Sequence, residues 1–119
     1  MLLAGHAGCG KDSLIAPFIR AVCGPFQRNR GLVQGDELNS AWGYHLECEV
    51  LVLNELRDSD AGARRALANK LKPLLAAPPE SLSVNRKGLR PYDALNRLLV
   101  VAYSNEQVPL VLDSSDRRW

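Results

Sequence analysis

Apolar residues in this chain gather into short continuous runs and helical stripes, and the two kinds alternate. Met1-Leu2-Leu3-Ala4 is the first run, long enough only for a strand. Residues 12–23 read as a helix, with Pro17 removing one helical hydrogen bond inside it and Gly24-Pro25 as its stop. Leu32-Val33 is a weak strand signal. Residues 36–44 suit a short helix with Asp36 as N-cap and Leu38, Ala41 and Trp42 facing inward.

Val50-Leu51-Val52-Leu53 is apolar at every position and ends in Asn54-Glu55. An unbroken run of this kind suits a strand buried on both faces, as in a parallel sheet. Residues 60–75 carry Leu67, Leu71, Leu74 and Leu75 on one side of a helix that bends at Pro73. Pro78-Pro79 breaks the chain. Over 82–89, Leu82 and Val84 alternate with polar residues and predict a short hairpin with Asn85-Arg86-Lys87-Gly88 at its tip. Residues 98–103 form a second fully apolar strand ending in Ser104-Asn105, and 108–112 a last strand. Strands alternating with helices predict a three-layer α/β fold around a mostly parallel sheet.

Composition narrows the reading only a little. A length of 119 residues allows one domain, and 46% hydrophobic with 24% charged residues is what a soluble globular domain carries. No apolar run approaches the roughly 18 residues of a membrane span, and the start does not read as a signal peptide. A net charge of +2 is too small to imply nucleic acid, so a basic surface has to come from local clustering. Cys9, Cys23 and Cys48 form no C-x-x-C pair, and His6 and His45 complete no metal pattern, which suits reduced thiols in an intracellular protein. The chain opens almost on its first strand and ends just after a charged turn, which reads as the truncated core of something longer.

The chemistry begins at Gly5-His6-Ala7-Gly8-Cys9-Gly10-Lys11-Asp12. This fits the phosphate-loop pattern G-x-x-x-x-G-K, with Asp12 where Ser or Thr is expected. Glycines there let backbone N–H groups turn toward one point, and the lysine reaches the β- and γ-phosphates. Strand, loop and helix follow in the order this mechanism needs. Glu55 ends an apolar strand, where an acid can polarise the water that attacks ATP, but the partner position before it holds Asn54. Asn105 ends the next apolar strand and can hydrogen-bond the γ-phosphate or that water; it also suits a plain turn. Arg117-Arg118 suits phosphate recognition in trans, or a solvated charged turn.

The order of loop, acid, amide and arginine resembles the superfamily 3 helicases of viruses, phages and plasmids, a branch of the AAA+ ATPases. It looks most like the helicase domain of phage-type primase–helicases, where a G-x-x-G-x-G-K-D loop precedes a strand ending in an acid. There a helix lysine follows, then a basic hairpin, a strand ending in Asn, and a D-x-R-R turn. This chain shows them as Gly5 to Asp12, Glu55, Lys72, the 84–88 hairpin, Asn105 and Asp113 to Arg118.

The resemblance implies a P-loop, AAA+-like ATPase core that binds ATP and Mg²⁺ and moves along single-stranded DNA. Gly5, His6, Ala7, Gly8, Cys9, Gly10, Lys11, Asp12 and Ser13 would hold the nucleotide. Asp12 or Ser13, with Asn54, would serve the metal, and a neutral Asn54 would offset the charge of Asp12. Lys11, Glu55 and Asn105 would act in hydrolysis, and Arg117 or Arg118 in a neighbour's site. Lys87 at the hairpin tip would track DNA phosphates, with Arg86 and Arg90 beside it; Gly88 stands where many relatives have His. The implied assembly is a homo-oligomeric ring, a hexamer, in the cytoplasm of a bacterial host, with room for an attached primase domain. A P-loop small-molecule kinase would need an arginine-rich lid, of which the sequence shows no sign. A binding-only fragment of a decayed prophage gene is the other alternative, kept open by Asp12, Asn54 and the abrupt ends.

Overall fold

The structure is a computed structural model that describes residues 1–34, 38, 43–54, 61–75 and 80–106. Glu55, Arg117, Arg118, the strand expected at 108–112 and most of the helix expected at 36–44 lie outside these residues.

Four strands, β1 (Leu2–Ala4), β2 (Arg30–Gln34), β3 (Val50–Asn54) and β6 (Leu99–Ser104), form one sheet in the order β1-β6-β3-β2. Every pairing in it is parallel. Helix α1 (Lys11–Cys23) connects β1 to β2, and α2 (Ala61–Leu75) follows β3. A separate antiparallel hairpin of β4 (Ser81–Val84) and β5 (Tyr92–Leu95) precedes β6.

Side-chain parity explains the unbroken apolar runs. Val50 and Val52 of β3, with Val101 and Tyr103 of β6, pack against Ile15, Ile19 and Cys23 of α1. The intervening residues, Leu51, Leu53, Val100 and Ala102, pack with Leu67, Ala68 and Leu71 of α2 in a second cluster. The sheet is therefore covered on both faces, and no polar alternation can survive in its central strands. α1 continues through Pro17 and α2 through Pro73. Among the described residues, no helix is long and apolar enough to cross a membrane. All three cysteines are unpaired thiols, and burial pushes the Cys23 and Cys48 thiols up.

The hairpin departs from expectation. The sequence suggests 82–89, but the arms are Ser81–Val84 and Tyr92–Leu95, in register from Ser81↔Leu95 to Val84↔Tyr92. The amide of Leu89 donates to the carbonyl of Arg86 (3.1 Å) across a tight turn, with Gly88 at φ +83°. That left-handed position suits glycine at the third place of a type II turn. Pro91 has no N–H for a ladder, so the return strand begins only after it.

Gly31 shows how closely β2 meets the segment before β3. A Cβ built there would lie 2.9 Å from Cys48 Sγ and 3.2 Å from Leu51 Cδ1. Gly31→Ala is expected to cost about 1–3 kcal/mol through overpacking. Urea unfolding should show a lower midpoint at unchanged slope.

Candidate functional site

Parallel strands put their carboxyl ends on one edge of the sheet, and open α/β sheets bind ligands at that edge. Along it, in the order of the strands, come the loop after β1, Asn105 after β6, Asn54 at the end of β3 and Gln34 at the end of β2. They line one cleft of about 530 Å³ with Gly8, Cys9, Gly10, Asp12, Ser13, Tyr103 and Ser104.

The glycine loop is shaped by two left-handed positions, Gly8 at φ +77° and Gly10 at φ +84°. Residues with a Cβ pay roughly 1–2 kcal/mol there, which accounts for glycine at both places. Gly5 is tight for a different reason: a Cβ would approach Cys9 Sγ at 3.1 Å. Gly10 is the N-cap of α1 and supplies no side-chain cap. The first amides of the helix have no intrahelical acceptor, so they are available to an anion seated in the loop.

Lys11 is half-buried beneath this loop. Its Nζ donates to the carbonyls of Gly5 (2.7 Å) and His6 (3.0 Å) and to Oδ1 of Asn105 (2.9 Å). Three donors thus meet three oxygens, and Cys9 Sγ lies 3.8 Å away. Lysine can only donate, so the Asn105 oxygen must face it, leaving the amide N–H group as the Asn105 donor. Loop and strand-end amide, 94 residues apart, are joined by that one bond. Ser104 is buried, and its hydroxyl accepts from the amide of Glu106 (3.0 Å), fixing the turn that carries Asn105. His6 lines a smaller cavity of about 190 Å³ with Asn105 and Glu106.

The oxygen donors expected for a metal, Asp12, Ser13 and Asn54, all line the large cleft. Among the described residues there is no group of three or more His, Cys, Asp or Glu suited to caging a metal. A sparse, hard-oxygen set of this kind fits Mg²⁺, which keeps waters and takes phosphate oxygens rather than a complete protein cage. Tyr103 and Gln34 are cleft residues that the sequence reading missed. Burial pushes the Tyr103 phenol up, and the nearby Asp12 carboxylate adds to it. Gln34 is a polar strand end in register with Asn54, the same signal that marked Asn54 and Asn105.

Arg86, Lys87 and Arg90 lie away from the cleft on the hairpin segment 85–91. Lys87 and Arg90 are exposed. Arg86 instead forms an ion pair with Glu47, on a 3₁₀ turn (Tyr44–Glu47) before β3. The Tyr92 hydroxyl donates to the other Glu47 oxygen at 2.7 Å. The bond from Tyr92, then the contact with Arg86, holds the Glu47 carboxyl below its ordinary range.

A parallel α/β sheet whose first strand–loop–helix unit faces polar strand ends across one cleft places this chain in the general class of open α/β proteins with a ligand-sized cleft at the carboxyl edge. This chain belongs to a family of unknown function, DUF5906, which matches residues 3–118. It is 30% identical over 83 residues to the DNA primase-polymerase of Nitratiruptor phage NrS-1, covering 69% of this chain and 11% of that protein. The apo structure of the NrS-1 C-terminal region superposes with a TM-score of 0.82 at 25% identity, covering 98% of this chain and 27% of that one. A second form of that region has a TM-score of 0.75 at 24% identity, over 98% of this chain and 26% of the other. The chain is thus homologous to part of that C-terminal region and spans only a small fraction of the phage protein.

Proposed function

We propose that this chain is the ATP-hydrolysing core of a ring-forming DNA helicase of the phage replication type, a P-loop domain of the superfamily 3 kind. The observation that carries the reading is the bond from Lys11 to Asn105 in a cleft that Asn54 also lines. A glycine loop alone suits many anions. A loop lysine bonded to the amide of the neighbouring strand suits a site that reads the terminal phosphate, because both side chains meet where that phosphate would lie. The similarity to a phage DNA primase-polymerase supports a role in replication.

In this reading the loop amides and Lys11 bind the β- and γ-phosphates, and the triphosphate takes over some of the lysine's present bonds. Asp12 or Ser13, with Asn54, holds Mg²⁺, which offsets charge on the phosphates when bound. Asn105 turns its N–H donor to the γ-phosphate, Glu55 orients water, and Arg117 or Arg118 reaches a neighbouring subunit's cleft. Lys87, with Arg90, follows the backbone of single-stranded DNA. A hexameric ring, an attached primase domain and the host cytoplasm belong to the same proposal.

The test is ATP turnover by the intact protein, stimulated by single-stranded DNA and indifferent to nucleosides. Stimulation by a nucleoside would favour a kinase, and ATP binding without phosphate release would favour a binding-only core. Lys87→Ala should weaken oligonucleotide binding about equally for all sequences and lower the salt slope by about 1. Fluorescence anisotropy across a salt series measures both. An unchanged slope removes Lys87 from the DNA path.

A further inference from the structure

The hairpin and the cleft sit at opposite edges of the sheet, and β3 and β6 run between them. Both strands begin at the hairpin side and end at the cleft, in Asn54 and Ser104-Asn105. A strand of five residues spans roughly 16 Å. The two entrances are tied together, since the amide of Leu99 donates to the carbonyl of Glu49 at 2.8 Å.

The hairpin is fastened to this entrance by more than its own chain. Its inner face buries Leu82 and Val84. The amide of Gly43 donates to the carbonyl of Asn85 at 2.9 Å, and a Cβ on Gly43 would lie 3.4 Å from the Asn85 nitrogen. Glu47 completes the attachment with both carboxylate oxygens, one on Arg86 and one on the Tyr92 hydroxyl. Arg86 and Tyr92 flank the exposed tip that carries Lys87 and Arg90. Glu47 itself stands three residues before the start of β3.

We propose that Glu47 is a positioning residue: by gripping Arg86 and Tyr92 it straps the basic tip to the entrance of β3, so that displacement of β3 and β6 at the cleft is delivered to Lys87. Arg86 is then a strut and not a DNA contact. The contact is exposed, and exposed pairs add little to stability. Its effect belongs in the geometry of the tip. The inference rests on the proposed function for its consequence, though the strap can be tested without it.

The experiment uses the intact protein, an oligo-dT probe and four variants: Glu47→Ala, Tyr92→Phe, the double Glu47→Ala/Arg86→Ala, and the swap Glu47→Arg/Arg86→Glu. Glu47→Ala should keep its DNA-free ATP turnover and its oligo-dT affinity while losing about tenfold of the stimulation by DNA, a size usual for coupled contacts. Tyr92→Phe should lose part of it. The double variant should be no worse than Glu47→Ala, and the swap should recover most of the stimulation. Tighter oligo-dT binding by Glu47→Ala, with a salt slope steeper by about 1, would overturn the proposal, because Glu47 would then be masking a DNA contact at Arg86. A swap no better than Glu47→Ala overturns it as well. If the unmutated protein neither hydrolyses ATP nor binds oligo-dT, the proposed function fails, and hydrogen exchange over residues 81–95 judges the strap. Faster exchange in Glu47→Ala that returns to normal in the swap supports it; unchanged exchange sinks it.

Discussion

Lys11→Ala is expected to lower ATP turnover by about 10²–10³-fold, the loss usual when one preorganised donor to a developing charge is removed. The described walls of the cleft contain one cation, and it is Lys11. Its ammonium already points where the glycine loop and Asn105 converge, held at 2.7 to 3.0 Å by three oxygens. In the proposed function an arriving phosphate would exchange with some of those acceptors, and a donor already aimed at its place is the condition for strong electrostatic stabilisation. The fold should barely notice the change. The Gly5 and His6 carbonyls belong to a partly exposed loop where water can replace the lysine, so the stability loss should stay within about 1 kcal/mol. Lys11→Arg should not rescue, because a planar guanidinium cannot aim three donors from one atom. Phosphate-release kinetics beside a urea midpoint separate the two effects. Turnover retained within a few-fold by a well-folded Lys11→Ala would remove this cleft from the chemistry.

The parts of this fold that were legible in the sequence share a physical reason. Val50 to Leu53 and Val100 to Tyr103 are covered on both faces, so burial alone writes an unbroken apolar run. The glycine loop was legible because Gly8 and Gly10 occupy left-handed positions that other residues avoid. Strand order was a different matter. That β6 lies between β1 and β3 depends on pairings across the whole chain, and no local pattern records them. The same holds for side chains brought together from afar. Arg86 reads as a basic tip residue until Glu47, 39 positions earlier, takes it. Gln34 ends a strand whose apolar signal is weak, and its place opposite Asn54 emerges only when β2 pairs with β3. Even the hairpin's length was hidden, since Pro91 decides where the return strand can start and alternation does not.

The second large effect concerns the cation that the described walls of the cleft do not supply. In the proposed function, one lysine and a metal would leave a triphosphate short of positive charge at the moment its terminal bond breaks. Removing an in-trans arginine costs roughly 10³-fold or more in such enzymes. Arg117 and Arg118 are the residues proposed for this role. A double Arg117→Ala/Arg118→Ala variant should therefore be as inactive as Lys11→Ala, for the opposite reason: its own loop is intact and its neighbour's site is incomplete. Mixing the two inactive proteins then becomes informative. In an assembly with a head-to-tail interface, about a quarter of the junctions in an equal mixture pair an intact loop with intact arginines. Turnover should reappear at about that fraction of the unmutated rate, with neither parent contributing. Co-purification through a tag on one parent shows whether mixed assemblies form. If they form and the mixture stays as silent as its parents, the arginines do not act across a subunit boundary. Recovery at the expected fraction would place the two halves of the site on different chains, with Lys11 and Asn105 reading the phosphate from one side and the arginines from the other.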